Sequence, residues 1–219
     1  SKDGLTMTTD TLKFNYTKQI AYFYGPTNIK NDSVQIYCMK GWYDVSNERA
    51  QLFKSVQVSK QDLFLSADTI TYNAKINEFK AKGNATYTDK IENISCSGRQ
   101  LFSSEQKKMA YASGQAIAKK IIQNDTLILR ADSIKLYKDS LLNLQEMVAF
   151  RNVAFWYGKI SGISDSSQYL LSNKKVTLYN LPIIWSENTE LKGDSMQIFL
   201  NDSIIDSALV LGHATALME

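Results

Sequence analysis

The sequence predicts an all-β protein, an elongated open β-jellyroll in which a repeated antiparallel sheet folds over on itself in a V. Three observations predict it. A phrase recurs along the chain: a small residue, Asp, Ser or Thr, then alternating apolar residues. A second phrase, Gly-Asn or a relative of it, follows at a near-constant distance. The parity of the apolar residues also switches at each Asp. Recurrence about every thirty residues is the mark of stacked supersecondary units.

Composition agrees with this class. Of 219 residues, 44% are hydrophobic and 21% charged, so the chain can bury a real core. Twelve Tyr, nine Phe and three Trp favour strands, and two Pro with ten Gly exclude a collagen-like or Pro-rich disordered chain. The net charge of +3 is spread along the chain rather than gathered on one element, which argues against a nucleic-acid binder. The pairs Lys107-Lys108, Lys119-Lys120 and Lys174-Lys175 fall at expected turns or strand ends, where solvated lysines belong. Two cysteines are too few for a disulfide framework or a structural zinc site, and a lone His213 cannot build a multi-histidine site. No apolar run is long enough for a membrane-spanning helix. The start at Ser1, without Met, points to a processed or cut form, from which an export signal could have been removed.

Taken in order, the first phrase appears as Thr9-Asp10-Thr11, Asn31-Asp32-Ser33-Val34, Ala67-Asp68-Thr69-Ile70, Gly98-Arg99-Gln100-Leu101, Ala131-Asp132-Ser133-Ile134, Ser164-Asp165-Ser166 and Gly193-Asp194-Ser195-Met196. The anchors at 10, 32, 68, 99, 132, 165 and 194 are separated by 22, 36, 31, 33, 33 and 29 residues, irregular only across 38–58. The second phrase appears as Gly83-Asn84-Ala85, Gly114-Gln115-Ala116, Arg151-Asn152-Val153, Asn180-Leu181-Pro182 and Gly212-His213-Ala214. Between them lie polar turns at 73–75, 137–140 and 172–174. The one helical competitor, Glu105 to Tyr111, is short and sits at a unit boundary.

Before an anchor, apolar residues stand at minus five and minus three (Leu63 and Leu65, Leu127 and Leu129, Ile94 and Cys96). After it they stand at plus two and plus four (Ile70 and Tyr72, Ile134 and Leu136, Met196 and Ile198). Side chains alternate faces along a strand, so this switch requires a bend or bulge at the anchor. The small residue gives room, and Asp can hydrogen-bond nearby amides. One face then stays apolar, lined by Val34, Ile36, Ile70, Tyr72, Ile134, Leu136, Met196 and Ile198. The alternates Thr69, Thr71, Ser133, Lys135, Ser195 and Gln197 face solvent.

These phrases, above all Ala67-Asp68-Thr69-Ile70-Thr71-Tyr72 followed by Phe79 to Ala85, resemble the OstA/LptA superfamily of lipopolysaccharide-transport proteins. The resemblance is clearest over 59–217 and treats 1–219 as one continuous repeat domain, the N-terminal part of a longer chain. It implies a Gram-negative periplasmic protein, exported and associated with outer-membrane biogenesis. Such a protein holds the lipid A acyl chains of lipopolysaccharide in its apolar groove and joins other Lpt-type β-jellyroll domains by end-to-end strand pairing. It implies no cofactor, no metal and no catalysis.

Other readings of the same residues stay open. A closed structural or adhesive β-solenoid would use the eight inward residues as packed core and bind no lipid. A glycan enzyme would pair Asp132 with Asp165, or Asp165 with Asp194, as acid and base. A calcium ladder would need Gly-rich nonapeptides that are absent. His213 fills a corner slot rather than that of a general base. Cys38 and Cys96 read as small core hydrophobes, with a disulfide between them as the alternative. Asn124-Asp125-Thr126 reads as a turn.

Overall fold

The computed structural model describes residues 6–122, 125–201 and 204–218. Asn124 lies outside the described residues. The chain divides into two compact units, Ser1–Lys107 and Lys108–Glu219. Among the described residues both are antiparallel β, with short 3-10 turns at Ala74–Ile76 and Leu171–Asn173. The stretch from Glu105 that competed as a helix is a turn running into a strand at Met109.

The first unit contains β1 (Thr6–Thr8), β2 (Thr11–Asn15), β3 (Ile20–Lys30), β4 (Val34–Asp44), β5 (Arg49–Lys60), β6 (Leu63–Asn73), β7 (Glu78–Asp89) and β8 (Ile94–Ser104). From β3 to β8 it is a meander, each strand paired with the next. β1 and β2 share β3, one on each half of it. The hairpin turns are fixed by Asx side chains, which accept local amide hydrogens and so make the chain reverse. Asn31 Oδ1 takes the amides of Ser33 and Val34, and Asp89 Oδ1 takes those of Ile91 and Glu92.

The second unit contains β9 (Met109–Ile122), β10 (Asp125–Lys138), β11 (Leu144–Tyr157), β12 (Ile160–Leu170), β13 (Lys175–Tyr179), β14 (Ile183–Ser186), β15 (Thr189–Lys192), β16 (Ser195–Asn201), β17 (Ile204–Leu211) and β18 (Thr215–Met218). β9 to β12 again form a meander. Beyond β12 the two halves of each long strand are separate elements. β13 and β14 pair with different halves of β12 and lead to β16 and β15, which end on β17 and β18.

Every long strand is creased near its middle. In β6, Ala67 and Ile70 are buried, while Asp68 is exposed and Thr69 half-buried between them. This is the parity switch the sequence demanded. On the neighbouring strands two residues stand against the one anchor: Lys54-Ser55 in β5 against Asp68, and Gly83-Asn84 in β7 against Arg99. Both members of each such pair have positive φ, as do the pairs at 114–115, 151–152, 180–181 and 212–213. Two successive left-handed residues turn the strand sharply, and a two-against-one bulge adds twist. Each unit thus has two arms meeting at a crease, with small or branched side chains filling the bend. Ala85, Ala116, Val56 and Val153 are all essentially inaccessible there.

The expected anchor at Asp32 is not at a crease. It lies in the β3–β4 hairpin turn, and the crease of β4 falls between Tyr37 and Lys40. Met39 occupies the anchor slot, after the buried Cys38. With 39 in place of 32 the anchor intervals become 29, 29, 31, 33, 33 and 29, and the irregularity disappears. Two crease phrases also escaped the sequence pattern: Gly25-Pro26-Thr27 in β3 and Lys54-Ser55-Val56 in β5.

Candidate functional site: the apolar inner faces

The anchor carboxylates hold the creases. A Cβ on Gly25, Gly83 or Gly212 would lie 2.2, 2.1 and 2.2 Å from the carboxylates of Asp10, Asp68 and Asp194, so backbone and anchor are in direct contact. In two phrases without Gly an amide side chain reaches the anchor instead. Asn152 Nδ2 donates to Asp132 at 3.1 Å, and Asn180 Nδ2 to Asp165 at 3.3 Å. His213 Nδ1 is 2.9 Å from Asp194. Asp132 and Asp165 are two strands apart, about 10 Å of sheet, and so are Asp165 and Asp194; a crease phrase lies between the members of each pair. Each carboxylate is engaged by its own corner. Among the described residues no group of three or more His, Cys, Asp or Glu side chains could hold a metal ion.

With the crease fixed, register sets the inner face. In one arm of the first unit, the row beside the crease runs Phe23, Gly41, Leu52, Ile70, Ala81 and Leu101 across β3 to β8. The next row outward carries Ala21, Tyr43, Ala50, Tyr72 and Phe79. Burial falls steeply between them: Ile70 is 2% exposed and Tyr72 38%. The other arm carries Ile29, Ile36, Val58, Leu65, Tyr87 and Cys96 on its inner row. Val34 stands one row further out, paired with Lys60. Val34 and Ile36 are therefore inner residues, but they precede their crease and line the arm opposite to Ile70 and Tyr72.

In the second unit Ile134 and Met196 share the crease row with Ala112, Ala149, Ser167 and Leu178. Leu136 and Ile198 share the next row with Met147, Tyr169 and Val176. Ile134, Met196 and Ile198 are buried and Leu136 is half-buried. At the β13–β18 end the arms pack together: Leu178, Met196 and Ile198 of one arm form a core with Ile184 of the other, with Phe155 and Leu191 against it. Of the polar alternates, Thr71 and Lys135 are exposed, but Thr69, Ser133, Ser195 and Gln197 are half-buried by their cross-strand neighbours.

The inner face favours neutral groups. In the first unit burial pushes the thiols of Cys38 and Cys96 up to about 11. Burial, and then the nearby Asp89 carboxylate, pushes the Tyr87 phenol up to about 12. Burial also raises Tyr43 and Tyr72. Both thiols are free, and four strands, about 19 Å of sheet, separate them along the ladder, beyond disulfide reach. Lysines stand at the distal ends of the apolar rows: Lys60 beside Val34 and Leu63, and Lys120 beside Leu127. The concavities outside this face are shallow and partly polar. One of about 530 Å³ lies at the crease between Lys40, Lys54, Ser55 and Asp68, and one of about 290 Å³ lies at the hairpin ends near Asp62 and Lys90. None of the eight predicted inward residues lines either.

Fold and inner face together define a class: an open β-jellyroll whose creased antiparallel sheet presents apolar inner rows. No family model matches the chain, and no curated protein matches it. Among solved structures it is similar to LptH, the LptA-homologous periplasmic component of the lipopolysaccharide transport device from Pseudomonas aeruginosa. The identity is 11% over 60% of this chain and 98% of that one, with a TM-score of 0.46.

Proposed function

We propose that the protein is a periplasmic lipopolysaccharide-binding module that carries lipid A acyl chains along its apolar inner rows toward the outer membrane. The observation that carries this reading is the burial gradient across the inner face of the first unit. Its crease row is packed, while in its second row Tyr72 is 38% exposed and Ala21, Tyr43, Ala50 and Phe79 are half-buried. Covering each acyl methylene there is worth about 0.8 kcal/mol, so a few chains suffice for firm holding. The mechanism is passive, with no covalent step. Acyl chains lie between the arms, and row-end lysines such as Lys60 and Lys120 face the lipid phosphates.

Free sheet edges suit end-to-end assembly with other β-jellyroll domains. Among the described residues β1 and β2 pair only with β3, β17 only with β16, and β18 only with β15. Unpaired edges accept further strands. A second reading, a closed structural solenoid, is favoured by one observation, the packed core of Leu178, Ile184, Met196 and Ile198.

Site-specific photo-crosslinking in cells separates the two. Probes at Tyr72 and Leu136 face inward, and probes at Thr71 and Lys135 face outward. The carrier reading expects lipopolysaccharide adducts at the first pair alone. A folded, exported protein with no adduct at Tyr72 would overturn it in favour of the closed solenoid.

A further inference from the structure

The outward face of one arm in the second unit is built unlike its counterpart in the first. In the first unit, the outward row beside the crease of the arm carrying Ile36 runs Asn28, Tyr37, Gln57, Ser66, Thr86 and Ser97, a polar face for solvent. The same row of the second unit runs Ile117, Arg130, Ala154, Ile163, Ile183 and Lys192. The next row runs Lys119, Ile128, Trp156, Ser161, Trp185 and Glu190. The repeat therefore does not require apolar residues here, and the second unit has acquired them.

The patch is open: Trp156 is 45% and Ile163 42% exposed, with Ile128, Ile183 and Trp185 half-buried among their cross-strand neighbours. Contiguous apolar surface of this kind marks an interaction site. Its charges indicate the partner. Lys119 and Arg130 flank one side and Lys192 the other, all exposed. The single carboxylate within the two rows, Glu190, is already held by Lys192 at 2.5 Å and by the Trp185 indole N–H at 2.7 Å. A sheet face with two indoles in the middle and cations on either side has the composition of a membrane-interface anchor.

We propose that this face docks the protein onto an anionic phospholipid surface, with Trp156, Ile163 and Trp185 entering the headgroup boundary and Lys119 and Arg130 meeting lipid phosphates. The docking is distinct from acyl-chain carriage on the inner rows and does not depend on it.

The test is co-sedimentation of the whole protein with vesicles of phosphatidylcholine, with and without phosphatidylglycerol. Binding is expected only with phosphatidylglycerol, weakening as salt rises, together with a blue shift of tryptophan emission. Lys119→Glu with Arg130→Glu should weaken it by at least roughly fivefold per cation removed. Trp156→Gln should abolish the blue shift and most of the binding, while Lys30→Glu, on the polar face of the first unit, leaves both intact. Circular dichroism establishes that each variant is folded. No binding by the folded protein to phosphatidylglycerol vesicles would overturn the proposal, as would binding indifferent to the Trp156 and charge variants. A concentration-dependent dimer that Trp156→Gln dissolves would replace the lipid surface with a second copy. Glycerophospholipid is the only lipid present, so failure here leaves the lipopolysaccharide adducts at Tyr72 as a separate outcome.

Discussion

Gly83→Ala should cost more than Gly158→Ala, where the positive φ comes without a close carboxylate. Gly83 has φ +75 and its missing Cβ would lie 2.1 Å from Asp68 Oδ2 and 2.8 Å from Asp68 Cβ. The left-handed conformation alone costs a non-glycine residue about 1–2 kcal/mol. Forcing apart two packed strands at the crease adds about 1–3 kcal/mol, giving about 2–5 kcal/mol in all. Gly158 provides the control, with φ +56 but 3.4 Å of room to Asp125. Gly158→Ala should cost only the conformational part, about 1–2 kcal/mol. In urea denaturation followed by far-UV circular dichroism, a slope of about 3 kcal/mol/M turns the Gly83 effect into a midpoint shift of about 1 M. Adding Asp68→Gly should return most of the contact part, a coupling that a double-mutant cycle isolates. If Gly83→Ala costs no more than Gly158→Ala, or if Asp68→Gly restores nothing, the carboxylate-on-backbone account of the crease is wrong.

Three further outcomes follow from the same structure. Met196→Ala, which empties a fully buried position among Leu178, Ile184 and Ile198, should lower stability by about 2–5 kcal/mol, whereas Leu217→Ala at a 59% exposed site should change it by about 0.5 kcal/mol or less; calorimetry of the pair checks this, and equal effects would argue against the packed β13–β18 core. Cys38 and Cys96, both pushed up to about 11 by burial, hold about one thiolate in a thousand at pH 8; Ellman's reagent should label them only on unfolding, and prompt labelling of the native protein would contradict their inward placement. The Glu78 carboxyl is held below its ordinary value first by the hydrogen bond from Lys107 Nζ at 2.8 Å. Its stabilising effect is therefore complete above the ordinary value of 4.5 and fades as pH falls through the lower folded value. Glu78→Gln should cost no more than about 1 kcal/mol at pH 7, because the pair is partly exposed; melts across pH should show the two proteins converging in acid, and a constant gap would rule the ion pair out as the cause.

The crease was legible in the sequence wherever its chemistry was the usual one. Gly-Asn, Arg-Asn and Asn-Leu phrases announce left-handed backbone, and the parity switch around Asp68, Asp132 and Asp194 needs no structure to be read. Lys54-Ser55 was not legible, because neither residue favours positive φ and neighbouring strands impose it. Asp32 misled for a physical reason: Asn-Asp-Ser is equally suited to a hairpin turn, and Asn31 closes that turn with two amide hydrogen bonds. Alternation gives the eight predicted residues one parity within each arm, and Ile70, Ile134, Met196 and Ile198 among them are buried. Which arm each lines depends on whether it precedes or follows its crease, and for Val34 and Ile36 that required the position of Met39. The outward Trp156 and Trp185 were hidden for the opposite reason, since only cross-strand register brings them onto one face.

The meander has a consequence for how the molecule acquires its structure. In β3 to β8 and β9 to β12 each pairing joins strands consecutive in the chain. Each hairpin closes a short loop, so the entropy lost per step is small and the sheet can grow one strand at a time from any starting hairpin. The β12–β14, β13–β16 and β15–β18 pairings break that rule, because each must enclose intervening strands. Their longer closures make them the slow steps of the second unit. A nascent chain would complete the creased meander first and zip its divided end last.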